Sequence, residues 1–181
     1  MSIANSLVAT NSGALANWER GFIAANRWAV VVLLGITVVL VIANVFARYV
    51  FSYSLTWVEE VSRYLMIWSA MLGCGLALRI GGHIAVETLA GVVPLAAAKV
   101  IRATIVAIVG VTLVALIWLG IEYVDFAWEQ ETPVLGLSFG KIYLAIPIGA
   151  LLMLIHLALV AKSWINTGAW ERVEGFDPQS L

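Results

Sequence analysis

Charged residues are scarce in this chain. Asp, Glu, Lys and Arg make up 12% of its 181 residues, whereas 62% are hydrophobic; a typical soluble domain has about 25% charged residues. Such a chain has too little polar surface to cover a water-soluble fold. Its formal net charge of -1 also argues against nucleic-acid binding, which needs a clustered basic surface. The composition therefore predicts an integral membrane protein.

Cysteine and histidine are also rare. The single cysteine, Cys74, excludes an intramolecular disulfide, and its small apolar neighbours favour a packing role. The sequence has no His, Cys and carboxylate cluster with metal-ligand spacing, no phosphate-binding glycine loop and no GxSxG motif. It therefore predicts no metal, no cofactor and no enzymatic activity.

Four long apolar segments account for most of the chain. Each reaches the roughly 20 residues that a helix needs to cross the hydrocarbon core. Backbone groups in lipid must form hydrogen bonds internally, and no alternating strand pattern is present, so the segments are predicted to be helices. The fold class is all-α, a polytopic membrane protein with spans at residues 28–50, 57–78, 97–125 and 141–165. Pro147 lies inside the fourth span and predicts a kink there.

Two terminal segments flank the predicted transmembrane domain, which covers residues 28–165. Residues 1–27 lack the basic cluster, short apolar run and small-residue site of a cleavable signal peptide. Helical spacing of their apolar residues predicts a short helix in the membrane interface, with a poorly ordered tail as the alternative. Those residues are Leu15, Trp18, Phe22 and Ile23. Residues 166–181 are predicted to form a cytoplasmic tail.

The distribution of basic residues predicts the orientation. Four spans put both termini on one side, and seven of the ten Lys and Arg residues fall on that side. Both termini and the 79–99 connection are therefore predicted to be cytoplasmic. In that connection Gly81 and Gly82 end the second helix, and His83–Val93 is expected to form a helix or turn at the interface.

The turn between the first two spans concentrates charge. Charges this close to hydrocarbon are costly unless they are paired or face headgroups or protein. Glu59 and Arg63 lie four residues apart, which predicts an ion pair on one helix face. Arg48 lies across the turn, where it is predicted to meet Glu60. Together with Trp57 these residues predict a locked hairpin that docks a partner, with simple anchoring of helix depth as the alternative.

Acidic residues collect on the predicted outer side, around the end of the third span. The hypothesis is that they steer a partner protein on that side, and the alternative is a solvated rim. The residues are Glu122, Asp125, Glu129 and Glu131.

Small residues recur in the second span, whereas polar residues are rare in the middle of every span. Small-xxx-small spacing lets helices approach closely, either within this chain or between chains. It is formed by Ala70, Gly73, Cys74 and Ala77 in the second span, and by Ala145 and Gly149 in the fourth. A carrier for charged solutes normally has polar groups near the midplane. If the protein serves transport, another chain is expected to carry the solute.

The chain resembles the small, DctQ-like membrane subunit of TRAP (tripartite ATP-independent periplasmic) transporters. The resemblance covers all four spans and is sharpest at Arg48–Phe51, Ser54–Glu60, Arg63–Leu65, Trp68, Gly73 and Gly82–Val86. Where that family commonly has Asn after the Phe of the turn, this chain has Ser52.

The resemblance implies a role. In that family a larger, DctM-like multi-helix subunit transports an organic anion by a sodium-driven, elevator-like motion, and a periplasmic binding protein delivers the substrate. The small subunit is implied to be a static scaffold in the lipid membrane. Carried over by position, Arg48, Trp57, Glu59, Glu60 and Arg63 would serve structure and subunit docking, and His83 would help fix the inner connection.

Two other functions remain open from the residues. His83 and His156 could be axial ligands of a haem, which would make the chain a membrane anchor of a redox complex. Alternatively, the chain could be a small carrier or channel that works alone.

Overall fold

The structure, a computed structural model, describes residues 2–79 and 94–167. Within these ranges the chain forms helices and contains no strand, apart from one isolated bridge between Glu131 and Ser138. The helices are α1 (Ser2–Phe51), α2 (Thr56–Arg79), α3 (Leu95–Phe126), α4 (Phe139–Tyr143) and α5 (Ala145–Thr167).

Four helical segments are long and apolar enough to cross a membrane, which confirms the predicted all-α, four-span fold. They are Trp18–Phe51, Thr56–Arg79, Ala96–Phe126 and Phe139–Asn166. The first span differs from the prediction because α1 is continuous through residue 27, with no separate interfacial helix before it. The sequence explains this continuity, since no proline occurs before Pro94 to remove a helix hydrogen bond.

The helices pack in a row in the order α1, α2, α5 and α3. α1 packs on α2, α2 on α5, and α5 on α3, whereas α1 and α3 do not pack on each other in the described structure. The central position of α5 shows in its burial: 39% of its most apolar stretch is buried, against 6% for α1. The result is that α1 and α3 form the two edges of the row.

The row has two ends, which we name by the residues found there. The turn end carries the α1–α2 turn (52–55) and the α3–α4 loop (127–138). The terminal end carries Trp18–Asn26, Arg79 and the last turn of α5. Both ends hold polar clusters, which are described below.

Close approach of α2 and α5 depends on glycine. A Cβ on Gly149 would lie 2.7 Å from the Met71 Cβ and 2.9 Å from the Met71 carbonyl oxygen. Ala145, one turn earlier, has no exposed surface. The small residues of the fourth span therefore serve packing within this chain.

Pro147 lies inside the fourth span, as the third residue of α5. Proline has no backbone N–H, so it cannot donate to the carbonyl four residues earlier. The helix is irregular at Leu144, between α4 and α5. The Leu144 N–H still bonds to the Gly140 carbonyl at 3.0 Å, and the Ile148 N–H bonds to the Leu144 carbonyl at 3.2 Å, so the helical path continues through this point. The kink at Pro147 stays a prediction.

Candidate functional site

A buried asparagine organises the turn between α1 and α2. Asn44 is 6% exposed, and its Oδ1 accepts a hydrogen bond from the Leu55 backbone N–H at 2.9 Å. Ser52 adopts a left-handed conformation, with φ of 52°. Asn is enriched in this conformation among residues other than glycine, so an asparagine at position 52 would fit the same turn. Asn44 was not predicted from the sequence, although a polar residue inside an apolar span itself indicates a structural or functional site.

Both ion pairs predicted for the turn, Glu59–Arg63 and Arg48–Glu60, are wrong. Arg48 forms its ion pair with Glu59, not with Glu60, and its Nη2 also donates to the Ser54 Oγ at 3.1 Å. The Arg48 and Glu59 side chains are each 52% exposed. Arg63 is exposed and forms no ion pair with Glu59 or with any other described residue. Because Arg48 approaches from across the turn, it occupies the Glu59 carboxylate that a helical i,i+4 pair would have used.

Glu60 fastens the α3–α4 loop to α2. Its side chain is 7% exposed, and Oε1 accepts from the Tyr64 hydroxyl at 2.6 Å. Oε2 accepts from the Val134 backbone N–H at 3.0 Å, across 74 residues of sequence. Inside the loop, the buried Thr132 accepts from the Leu137 backbone N–H at 3.0 Å. Glu60 is thus a buried hydrogen-bond acceptor that joins α2 to the α3–α4 loop. Sequence spacing could not predict its contact with Val134, because the two residues are far apart in the chain.

The acidic residues predicted on the outer side lie together at the turn end. Glu122 and Asp125 are exposed in the last turns of α3, and Glu129 and Glu131 are exposed in the loop that follows. The Glu122 carboxylate accepts a hydrogen bond from Trp118 Nε1 at 2.9 Å. The described structure therefore exposes all four of these carboxylates at the turn end.

A second polar cluster, at the terminal end, was not predicted from the sequence. Arg79 forms an ion pair with Glu19, and its Nη1 lies 3.3 Å from the His156 Nδ1. Asn26 Nδ2 lies 3.1 Å from the His156 Nε2 and donates to the Leu72 carbonyl at 3.2 Å. Arg79 and Asn26 are 4% and 6% exposed, and His156 is fully buried. One polar network therefore joins α1, α2 and α5.

The His156 ring is held tightly within this network. The Phe22 ring lies 4.8 Å from it between centroids, and a Cβ on Gly75 would come within 2.7 Å of its Cδ2. Each ring nitrogen has a polar neighbour, since Nε2 contacts the Asn26 side-chain amide and Nδ1 contacts the Arg79 guanidinium. Neither nitrogen is directed to space that a haem iron could occupy, which argues against His156 as an axial ligand. The other ligand of that hypothesis, His83, lies outside the described residues.

Four hydroxyl groups within the spans are satisfied by their own helices. Each donates to the carbonyl four residues earlier, at 2.7–2.9 Å. This back-bonding is common for Ser and Thr in apolar helices. The four are Thr37, Ser69, Thr104 and Thr112. In the described ranges no three His, Cys, Asp or Glu residues are grouped closely enough to hold a metal ion.

These features define the class of the protein: a four-span α-helical membrane protein whose polar side chains join helices and loops at its two ends. Comparison with known families makes the assignment specific. Residues 37–166 match the family described as "Tripartite ATP-independent periplasmic transporters, DctQ component". The chain therefore belongs to the DctQ family of TRAP transporter components, and it is a multi-pass protein of the bacterial inner membrane. The resemblance found from the motifs is confirmed.

Two relatives from Haemophilus influenzae agree with this assignment. The sialic acid TRAP transporter permease protein SiaT of strain 86-028NP is 29% identical over 129 residues, which are 71% of this chain and 21% of that protein. A protein of strain Rd, assigned as a TRAP transporter small permease protein, is 40% identical over 62 residues. Those residues are 34% of this chain and 38% of the relative. The chain thus matches less than half of the length of either relative.

Proposed function

We propose that this chain is the scaffold subunit of a TRAP transporter that takes up organic anions together with sodium, and that it braces a larger subunit which carries the solute. The observation that supports the proposal best is the distribution of polar groups. They join α1, α2, α5 and the α3–α4 loop at the two ends, while four hydroxyls between are bonded within their own helices. Such an arrangement resists deformation, and its described residues offer no set of ligands for a charged solute near the midplane.

The length of the SiaT relative supports a second, larger subunit. Only 21% of that permease aligns with this chain. We infer that the remaining part corresponds to a separate DctM-like, multi-helix partner of this chain. A periplasmic substrate-binding protein would deliver the organic anion to that partner, and the apolar faces outside the interface would contact membrane lipid.

The turn end is proposed to face the periplasm. Seven of the ten basic residues of the chain belong to the opposite side in this orientation, as the positive-inside rule requires. The exposed carboxylates of the turn end would then steer the binding protein by charge. They are Glu122, Asp125, Glu129 and Glu131.

The residues proposed for subunit assembly divide by their environment. Glu60 is buried and holds the loop, and the Arg48–Glu59 pair holds the turn, so these three would act by shaping the turn end. Trp57 and Arg63 are exposed and would contact the large subunit directly. His83 would help fix the inner connection, and it stays a prediction because it lies outside the described residues.

Reconstitution in vesicles tests the proposed function. We expect no uptake of an organic acid by this chain alone, and sodium-dependent uptake when the large subunit and the binding protein are added. Co-purification of the wild-type chain with the large subunit is the accompanying binding assay. Accumulation of an acid against its gradient by this chain alone would contradict the scaffold role.

A further inference from the structure

One side of α2 is left uncovered by the rest of the chain. Its exposed residues recur every three or four positions, so they form a single stripe along the helix. We name the following six residues the α2 stripe: Glu59, Arg63, Met66, Ala70, Cys74 and Ala77. Other sides of α2 pack on α1 and α5, and α2 is the least apolar of the four spans.

We propose that the α2 stripe receives one transmembrane helix of the large subunit, and that this helix carries a carboxylate opposite Arg63. The inference rests on the proposed function and names the surface through which the two subunits meet. Its occupant follows from the length, the charge and the side-chain size of the stripe.

The length of the stripe allows a partner helix to contact it across the whole span. From residue 59 to residue 77 the rise along an α-helix is about 27 Å, close to the roughly 30 Å of the hydrocarbon core. Charge and side-chain size distinguish such a partner from lipid.

The charge of the stripe requires an anionic partner near the turn end. Arg48 and Glu59 neutralise each other, which leaves Arg63 without an ion-pair partner among the described residues. Beside Arg63 a groove of about 420 Å³ opens between α1 and α2. Ser62 lines this groove, is 8% exposed, and its Oγ has no hydrogen-bond partner in the described structure. A carboxylate entering here would meet a cation and a hydroxyl donor together.

The lower part of the stripe permits close contact. Ala70, Cys74 and Ala77 are small, so a partner backbone can approach α2 as in other membrane helix pairs. A second copy of this chain is disfavoured as the occupant. Two copies inserted in the same orientation and paired through this stripe would bring Arg63 against Arg63, and like charges repel.

Photo-crosslinking tests the location of the interface. A benzophenone amino acid is placed at Met66 in the co-expressed complex, and the matched control carries it at Ile108 of α3. The two side chains are similarly exposed, at 58% and 61%, but they lie on helices that are not adjacent in the row. We expect a crosslink to the large subunit from position 66 and none from position 108. Crosslinks from position 66 only to lipid, or to a second copy, would overturn the proposal.

Two pairs of variants test the size and the charge of the stripe. Ala70→Phe should lower recovery of the large subunit at least about tenfold, whereas Ala107→Phe, at an exposed alanine of α3, should leave it unchanged. Arg63→Glu should lower recovery and Arg63→Lys should largely retain it. Equal recovery with Ala70→Phe and Ala107→Phe would refute the inference.

These results separate the inference from the proposed function. If the wild-type chain fails to bind the large subunit, the proposed function itself is wrong. If the wild-type chain binds but the α2 variants have no effect, only the assignment of the interface is wrong.

Discussion

Gly75 and Gly73 provide a matched test of the packing at the terminal end. Both lie in α2, but their surroundings differ. A Cβ at Gly75 would lie 2.7 Å from the His156 Cδ2, whereas the nearest atom to a Cβ at Gly73 is the Val30 Cγ1, at 4.0 Å. Carbon atoms pack favourably at about 3.5–4.0 Å, so Gly75→Ala requires a shift of about 1 Å and Gly73→Ala requires none.

The His156 ring has little freedom to make that shift. It is fully buried, and its two nitrogens contact the Asn26 amide and the Arg79 guanidinium. Overpacking in such a site costs about 1–3 kcal/mol. Each Gly→Ala change also brings a gain of up to about 1 kcal/mol in helix propensity. We therefore expect Gly73→Ala to be neutral or stabilising, and Gly75→Ala to be less stable than Gly73→Ala by about 1–3 kcal/mol.

Unfolding in mixed micelles, followed by tryptophan fluorescence or circular dichroism, measures this difference between the two variants. A double-mutant cycle with His156→Ala isolates the steric contact between position 75 and the His156 ring. Gly75→Ala should no longer lower the free energy of unfolding once the ring is absent. Equal stability of Gly73→Ala and Gly75→Ala, or a cost that persists without the ring, would refute the close packing of Gly75 on His156.

Three further predictions concern the turn end. Ser52→Gly should raise stability by about 1 kcal/mol, because glycine adopts a positive φ without the steric penalty of a side chain; an unchanged unfolding midpoint would argue against the left-handed turn. Glu60→Ala should lower the thermal unfolding midpoint more than Glu59→Ala does. The first change leaves the Val134 N–H and the Tyr64 hydroxyl without their acceptor, whereas the second removes one partner of an exposed ion pair. A larger decrease for Glu59→Ala than for Glu60→Ala would show that the α3–α4 loop is not held by Glu60. Reversing the charge of Glu129 and Glu131 should slow association with the binding protein at low salt, as measured by stopped-flow mixing. An association rate that depends on neither charge nor salt would refute the steering role.

The spans and their number could be predicted from the sequence because they depend on local properties. A run of about 20 apolar residues must form a helix in lipid whatever its neighbours are. The short motifs between Arg48 and Val86, together with the four-span layout, likewise indicated the family, and the family match over residues 37–166 confirms it.

The partners of individual side chains could not be predicted in this way. Glu60 meets Val134 across 74 residues, and Asn26 meets His156 across 130. Such contacts depend on how each helix is rotated about its axis and which helices are adjacent. Hydrophobic periodicity defines rotation poorly when a helix is apolar on nearly all sides. The four-residue spacing within one helix therefore predicted a Glu59–Arg63 pair, whereas in the folded turn Arg48 pairs with Glu59.

Sequence alone was sufficient for the membrane class, the four helices and the family, since these follow from hydropathy and short motifs along the chain. The row order of the helices, the Glu19–Arg79–His156–Asn26 network and the exposed stripe of α2 became visible only in the folded chain. The physical reason is that burial and pairing between distant residues are properties of helix packing, to which each helix contributes only one face.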